Sequence, residues 1–216
     1  MKAYKKTIIL TTILTLLPML VGLLLWNRLP EQVPSHWGFD GQVDGWSSRA
    51  QAVFFLPCLL AAVQLVLLFC TFADPKKKNI HPKMLMVIMW IIPVLSILMS
   101  GAAYLIALGV KISMAMVMML LIGLLFLVLG NYLPKVQQNY TIGIKVSWAL
   151  QDEDNWVRTH RFAGKLMVLV GVLLILLAFA ANALGDQTSM IILIVLALCC
   201  SLIPVFYSYL IYKKKN

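Results

Sequence analysis

The sequence has little charge. Asp, Glu, Lys and Arg make up 12% of its 216 residues, whereas 62% are hydrophobic. This composition excludes a soluble globular domain, in which about a quarter of the residues are charged. Six apolar runs are long enough to cross the bilayer, which takes about 20 helical residues. They lie near Thr7–Trp26, Gln51–Phe72, Met84–Leu108, Ser113–Leu133, Lys165–Leu184 and Met190–Tyr212. We therefore predict an all-α integral membrane protein, a six-helix transmembrane bundle that forms one domain over residues 1–216.

Cysteine is scarce, and its positions argue against disulfides and zinc. Cys58 and Cys70 lie in one predicted span, roughly 18 Å apart along the helix axis, which is too far for a disulfide. Cys199 and Cys200 are neighbours that point in different directions. No spacing suggests a zinc site. We expect the four cysteines to be small buried hydrophobic residues and expect no metal or other cofactor.

The middle of the spans lacks Asp, Glu, Lys, Arg and His. This absence argues against proton-coupled transporters and ion pumps, which need an ionisable group within the membrane. It also argues against intramembrane proteases, which need a catalytic pair or a metal motif. We expect the polar side chains at depth to form hydrogen bonds between helices. The alternative is that they form the polar wall of a ligand cavity. They are Gln64, Ser96, Ser100, Tyr104 and Asn182.

The distribution of Lys and Arg predicts the orientation. If the chain starts inside and crosses six times, the inner side receives 15 basic residues and the outer side receives 3. Basic residues concentrate on the cytoplasmic side of membrane proteins, so we predict that both termini are cytoplasmic. The first span should remain as an anchor, since Trp26-Asn27-Arg28 offers no cleavage site. The net charge of +10 then indicates attraction to anionic lipid headgroups rather than direct binding of nucleic acid.

The predicted outer loop, residues 27–50, is rich in residues that fix the backbone. Two prolines hold their neighbours extended, and Asp-Gly pairs at 40–41 and 44–45 favour turns. We expect a folded cap over the outer mouth of the bundle. A metal site formed by His36, Asp40 and Asp44 is a weaker alternative. The candidate binding residues here are Pro34, His36, Trp37, Asp40 and Gly41.

The longest connection, residues 134–164, faces inside together with a shorter inner loop, residues 73–83. Three acids precede a basic segment, Asp152-Glu153-Asp154 and then Asn155 to Lys165, which matches a helix dipole. The pattern predicts a short helix with Trp156, His160 and Ala163 on one face. This helix either continues into the fifth span or lies along the inner surface. The polar residues before it indicate a folded inner cap.

Two motifs in the chain resemble those of the SdpI-like immunity proteins, bacterial membrane proteins that protect a producer cell from its own secreted peptide toxin. The inner motif runs from Gly130-Asn131 to Gly164, and the outer motif from Leu29-Pro30 to Gly41. The chain has Lys145-Val146 where the family usually has Arg-Thr, and Lys cannot make a bidentate contact as Arg does. The candidate residues of the inner motif, with Lys145 at the departing position, are Asn131, Asn139, Gly143, Lys145, Trp148, Asp152, Glu153, Trp156, His160 and Arg161.

The resemblance implies a non-enzymatic protein of the bacterial cell membrane. It implies resistance to a secreted peptide toxin, met by the outer loop or the bundle, and relay of toxin presence to a cytoplasmic transcriptional repressor. The inner residues above would then be docking candidates for that partner. A small-molecule transporter or channel is the alternative. An enzyme that uses His160 with the neighbouring acids as an acid–base cluster is a third reading, but no nucleophile or metal set accompanies it.

Overall fold

The chain forms a bundle of six long helices, as predicted. The computed structural model describes residues 2–215, so Met1 and Asn216 of the predicted domain 1–216 lie outside the described residues. All six helices are long and apolar enough to cross a membrane. They are α1 (Lys5–Leu24), α2 (Leu56–Ala73, preceded by a π-helical turn at Gln51–Phe55), α3 (Pro82–Ala107), α4 (Met114–Tyr132), α6 (Glu153–Leu184) and α7 (Asp186–Lys215); the short α5 covers Ser147–Gln151.

The connections between the helices lie on two faces of the bundle. The terminal face carries residues 2–4, 74–81, 133–152 and the end of α7. The hairpin face carries residues 25–50, 108–113 and Gly185. The basic residues are concentrated on the terminal face, so the orientation predicted above places this face in the cytoplasm.

Helix α6 begins 12 residues before the predicted fifth span. Asp152 caps the helix, since its carboxylate accepts a hydrogen bond from the Asp154 amide at 3.0 Å, and the two acids that follow suit the positive end of the dipole. No residue then interrupts the helix until Gly185, whose φ is +79°. The juxtamembrane segment therefore continues into the span, which is the first of the two arrangements allowed by the sequence.

A two-stranded antiparallel sheet occupies the hairpin face, an addition to the otherwise helical fold. Strands β1 (Gln32–Trp37) and β2 (Val43–Ser48) pair with Gln32 opposite Ser48 and Trp37 opposite Val43. The turn between them contains Gly41, whose φ of +76° explains the Asp40-Gly41 pair. Val33 is fully buried against α3 and the π-helical turn. The hairpin is thus a packed cover on the bundle.

Two features hold the helices together. The first is a set of buried hydrogen bonds. The Gln64 amide donates to Thr11 at 2.9 Å, and the Ser96 hydroxyl donates to the Thr15 carbonyl at 2.7 Å. These bonds join α1 to α2 and α3, as expected for polar residues at depth.

Cys58 and Cys70 are exposed on α2 rather than buried, because they lie on the side of the helix that faces away from the bundle.

The second feature is a close crossing of α4 and α6. A Cβ added to Gly130 would lie 2.7 Å from the Gly164 carbonyl oxygen, and one added to Gly171 would lie 2.7 Å from the Gly123 carbonyl oxygen. Since these contacts are with backbone, neither helix has room for a side chain at these positions. Small residues at helix contacts are typical of membrane proteins, in which close backbone approach contributes much of the packing.

Candidate functional site

The larger polar assembly lies on the terminal face, and we call it the cap: residues 74–81, 133–160 and 208–215. Asn139 organises its central loop. The side-chain nitrogen of Asn139 donates to the backbone carbonyls of Gln137 at 2.9 Å and Ile142 at 3.1 Å. The Asn139 oxygen accepts from the amides of Thr141 at 2.9 Å and Ile142 at 2.7 Å. With every hydrogen-bonding position used and no exposed surface, this side chain defines the loop conformation.

Asp74, in the loop after α2, ties that loop to residues 139–141. Its carboxylate accepts from the Tyr140 amide at 2.9 Å, the Thr141 hydroxyl at 2.6 Å and the Lys76 amide at 2.7 Å. Burial by itself would raise the pKa of Asp74, but the Thr141 hydroxyl and the backbone donors lower it below its ordinary value of 3.8. The hydrogen bonds of the folded cap therefore favour the ionised form of Asp74.

Gln138 adds further hydrogen bonds between the loop after α2 and residues 133–152. Its side-chain nitrogen donates to the Leu150 carbonyl at 2.7 Å, and its side-chain oxygen accepts from the Lys76 ammonium at 2.9 Å. Its backbone carbonyl accepts from the Asn79 side chain at 2.7 Å. Gln138 thus links the loop after α2 to α5, so the two connections on the terminal face form a single folded unit.

The buried centre of the cap is a stacked pair of rings on α6. The Trp156 indole donates to the Val136 carbonyl at 2.8 Å, and the Trp156 and His160 ring centroids lie 4.0 Å apart. His160 Nδ1 lies 2.8 Å from the Trp156 carbonyl oxygen, and its Nε2 lies 2.9 Å from the Ile144 amide nitrogen. Because one partner only accepts and the other only donates, these contacts specify a neutral ring protonated on Nδ1.

Gly143 is required by this arrangement. Its φ is +115°, and a Cβ there would lie 2.3 Å from His160 Nε2. Glycine therefore allows the loop backbone to lie directly against the His160 ring. The predicted face of Trp156, His160 and Ala163 is correct, since all three side chains are buried.

A second network joins α5 and α6 to α7. The Trp148 indole donates to the Ser208 hydroxyl at 3.0 Å, and that hydroxyl donates to the Asn155 side chain at 2.7 Å. Lys215 lies 2.7 Å from Asp152 and 3.0 Å from Asp154. The Lys215 ammonium holds the pKa of Asp152 below its ordinary value. These ion pairs join the last turn of α7 to the start of α6.

The cap separates the ten predicted inner residues into two sets. Asn139, Trp156 and His160 are fully buried, while Gly143, Trp148 and Asp152 are half-buried and hold the cap together. The exposed residues are Asn131, Lys145, Glu153 and Arg161. Within residues 2–215, no acid lies within ion-pair distance of Arg161, whereas Arg158 lies 3.6 Å from Asp154. The exposed set is therefore the more accessible to a partner in this conformation.

The five predicted outer residues lie in three places. Pro34 and Trp37 line a cavity of about 510 Å³ beneath the hairpin. His36 and Asp40 lie on the exposed side, where His36 pairs with Asp44 at 2.5 Å. Gly41 approaches the start of α7, since a Cβ there would lie 2.4 Å from Asp186 Cβ. In the described part of the chain, no three His, Cys, Asp or Glu side chains are grouped to hold a metal ion.

Several cap residues were missed at the sequence level. Asp74 did carry a signal, because it is the sole acid in a loop with four lysines. No sequence pattern pointed to Gln138, Asn155 or Ser208, since a lone amide or hydroxyl does not reveal its hydrogen-bond partner. Lys215 looked like one of several terminal basic residues.

The helices and the cap define a multi-pass membrane protein with six spans and a folded polar domain on one face. Residues 135–208 match the SdpI/YfhL protein family, and residues 13–61 match a domain of unknown function, DUF1648. Over 216 residues the chain is 26% identical to the protein named Immunity protein SdpI from Bacillus subtilis (strain 168), covering 98% of each chain. The resemblance to the SdpI-like family is thus confirmed. No solved structure matches the chain.

Proposed function

We propose that this protein is a membrane immunity protein that protects a bacterial cell from a secreted peptide toxin. The observation that supports this most strongly is the similarity to Immunity protein SdpI over 98% of both chains. The SdpI/YfhL match begins within the cap and includes Asn139, Trp156 and His160. Similarity that covers the bundle and the cap together favours a shared role of the whole molecule over a shared membrane anchor.

The protein acts in this proposal by binding, without enzymatic turnover. The acid–base alternative needs an accessible His160, but this ring is fully buried and both its nitrogens are engaged by backbone groups. A general base must reach the proton that it removes. The arrangement therefore favours a structural role for His160.

The proposed orientation places the hairpin outside and the cap in the cytoplasm, as the basic residues predict. The hairpin face then meets the toxin. Four exposed residues in and beside the cap form the docking surface for a cytoplasmic transcriptional repressor: Asn131, Lys145, Glu153 and Arg161. The protein itself contacts lipid and makes no direct contact with nucleic acid.

Expression in a toxin-sensitive bacterial host tests the proposal. We expect the full chain to raise tolerance to a secreted membrane-active peptide while the peptide is recovered intact from the culture. The control is Gly143→Leu, which places a side chain against His160 and should remove protection by unfolding the cap. Cleaved or modified peptide recovered from expressing cells alone would favour an enzyme instead.

A further inference from the structure

The cavity beneath the hairpin has a polar group that the fold leaves unused. The cavity holds about 510 Å³ between the hairpin and the adjacent ends of α2 and α3. Pro34 and Trp37 form part of its roof, and Phe55, Leu95 and Met99 form apolar walls. Ser100 also lines it, although its side chain is only 1% exposed.

The Ser100 hydroxyl has no hydrogen-bond partner among residues 2–215. The neighbouring polar groups of α3 behave differently. The Ser96 hydroxyl donates to the Thr15 carbonyl at 2.7 Å, and the Tyr104 hydroxyl donates to the Pro18 carbonyl at 3.2 Å. A buried hydroxyl without a partner is unfavourable. One that lines a cavity is therefore placed to meet a polar group of a ligand.

The cavity also lies beside the π-helical turn at Gln51–Phe55, a feature that is frequent at functional sites. The Gln51 side-chain oxygen accepts from the Ser48 amide and hydroxyl, each at 3.1 Å. These bonds fix the end of β2 to the start of the α2 segment, so the roof and one wall are held together.

We propose that this cavity binds an uncharged, apolar segment of a peptide, and that Ser100 hydrogen-bonds to a backbone amide group of that segment. The proposal rests on the proposed function, because it assigns the place where the peptide is met. No charged side chain lines the cavity, which disfavours phosphate headgroups. Ser35 and Ser47 in the roof and Ser100 below provide hydrogen-bonding groups on opposite sides. They match the amides of a peptide and have no counterpart in a lipid acyl chain.

Binding of a blocked tripeptide to the protein in phosphatidylcholine nanodiscs tests the site. The probe is N-acetyl-Leu-Phe-Leu-amide, measured by calorimetry with empty nanodiscs subtracted, and N-acetyl-Leu-Lys-Leu-amide is the charged control. We expect saturable binding of the first peptide alone. Ser100→Ala should weaken binding about fivefold, the effect of one hydrogen bond. Ala103→Trp, which fills the cavity, should abolish binding.

Ser189→Ala is the matched control. Ser189 is also fully buried and without a hydrogen-bond partner among the described residues, but it does not line this cavity. The Ser189→Ala variant should bind N-acetyl-Leu-Phe-Leu-amide with the same affinity as the original chain. Ser100→Ala keeps the test valid if Ala103→Trp does not fold. Equal affinity in all variants, or no binding to the original chain, would overturn the proposal. So would a phospholipid that copurifies with the original chain but not with Ala103→Trp.

A tolerance assay separates this proposal from the proposed function. If the original chain and a folded Ala103→Trp variant protect cells equally, the cavity assignment is wrong while the immunity function stands. If the original chain binds the tripeptide through Ser100 but gives no protection, the cavity assignment stands and the immunity function is wrong.

Discussion

Asp74 shows how a single buried charge defines the cap. Its carboxylate receives hydrogen bonds from residues in two separate connections, so the ionised form helps hold these connections together. The pKa of this group is below its ordinary value when the protein is folded. Its stabilisation is therefore complete above the unfolded pKa and is lost as the pH falls through the folded pKa.

We expect the cap to loosen under acidic conditions, below the ordinary Asp pKa of 3.8. Hydrogen exchange of residues 137–146, corrected for the intrinsic effect of pH, measures this change. Asp152 also has a lowered pKa, so part of the dependence should remain in Asp74→Asn. That variant should exchange faster at pH 7 and respond less to acid, while Asp40→Asn on the exposed hairpin leaves the cap unchanged. An identical pH profile in Asp74→Asn would contradict this role.

Arg161 differs from the buried cap residues because its side chain is exposed and unpaired among residues 2–215. We expect Arg161→Ala to leave membrane abundance and toxin tolerance near the original level while weakening recruitment of the cytoplasmic partner. Arg158→Ala, which removes an exposed intrahelical pair worth about 0.3–0.5 kcal/mol, is the neighbouring control. Abundance, tolerance and recruitment are measured in one strain. Loss of all three in Arg161→Ala would make Arg161 a structural residue.

At the scale of elements, the crossing of α4 and α6 supports the cap from below. Gly164 faces both the Gly130 carbonyl and Pro134, since a Cβ there would lie 2.6 Å from each. Pro134 belongs to the turn that leads into the cap loop. Tight packing in the bundle and correct placement of the cap therefore depend on the same position.

Gly164→Ala should destabilise the protein by about 1–3 kcal/mol, the usual effect of overpacking. Gly101→Ala is the matched control, because Gly101 is also in a long helix but its Cβ would meet nothing within 4 Å. There the greater helix propensity of Ala should stabilise the protein by roughly 0.5–1 kcal/mol. Thermal unfolding in one detergent compares the variants. Equal melting temperatures for both would show that the crossing tolerates a methyl group.

For the molecule as a whole, we predict that the terminal face is cytoplasmic. Reporter fusions after Lys78 and after Val146 should give cytoplasmic signals, and a fusion after Gly45 should give an external one. The excess of basic residues on the terminal face favours this result. A cytoplasmic signal from the Gly45 fusion would reverse the proposed roles of the hairpin and the cap.

The sequence predicted the spans because membrane helices need only hydropathy and length to be recognised. The Asp40-Gly41 turn likewise indicated that the outer loop folds back. The acids at 152–154 and the bases after them indicated the start of α6, but its polar first turns left open whether this helix joins the apolar fifth span. The bond between Asp74 and Thr141 joins residues 67 positions apart, and no local spacing reveals such a pair. Long-range polar contacts of this kind are therefore seen only in the folded structure.

Helix α6 has one further consequence. Its 32 residues span about 48 Å, from Asp152, which pairs with Lys215, to Gly185 beside the hairpin turn. Backbone contacts with α4 at Gly164 and Gly171 lie about 10 Å apart along its axis. Because two separate contacts resist rotation about either one, α6 is a rigid strut that joins the cap to the hairpin face.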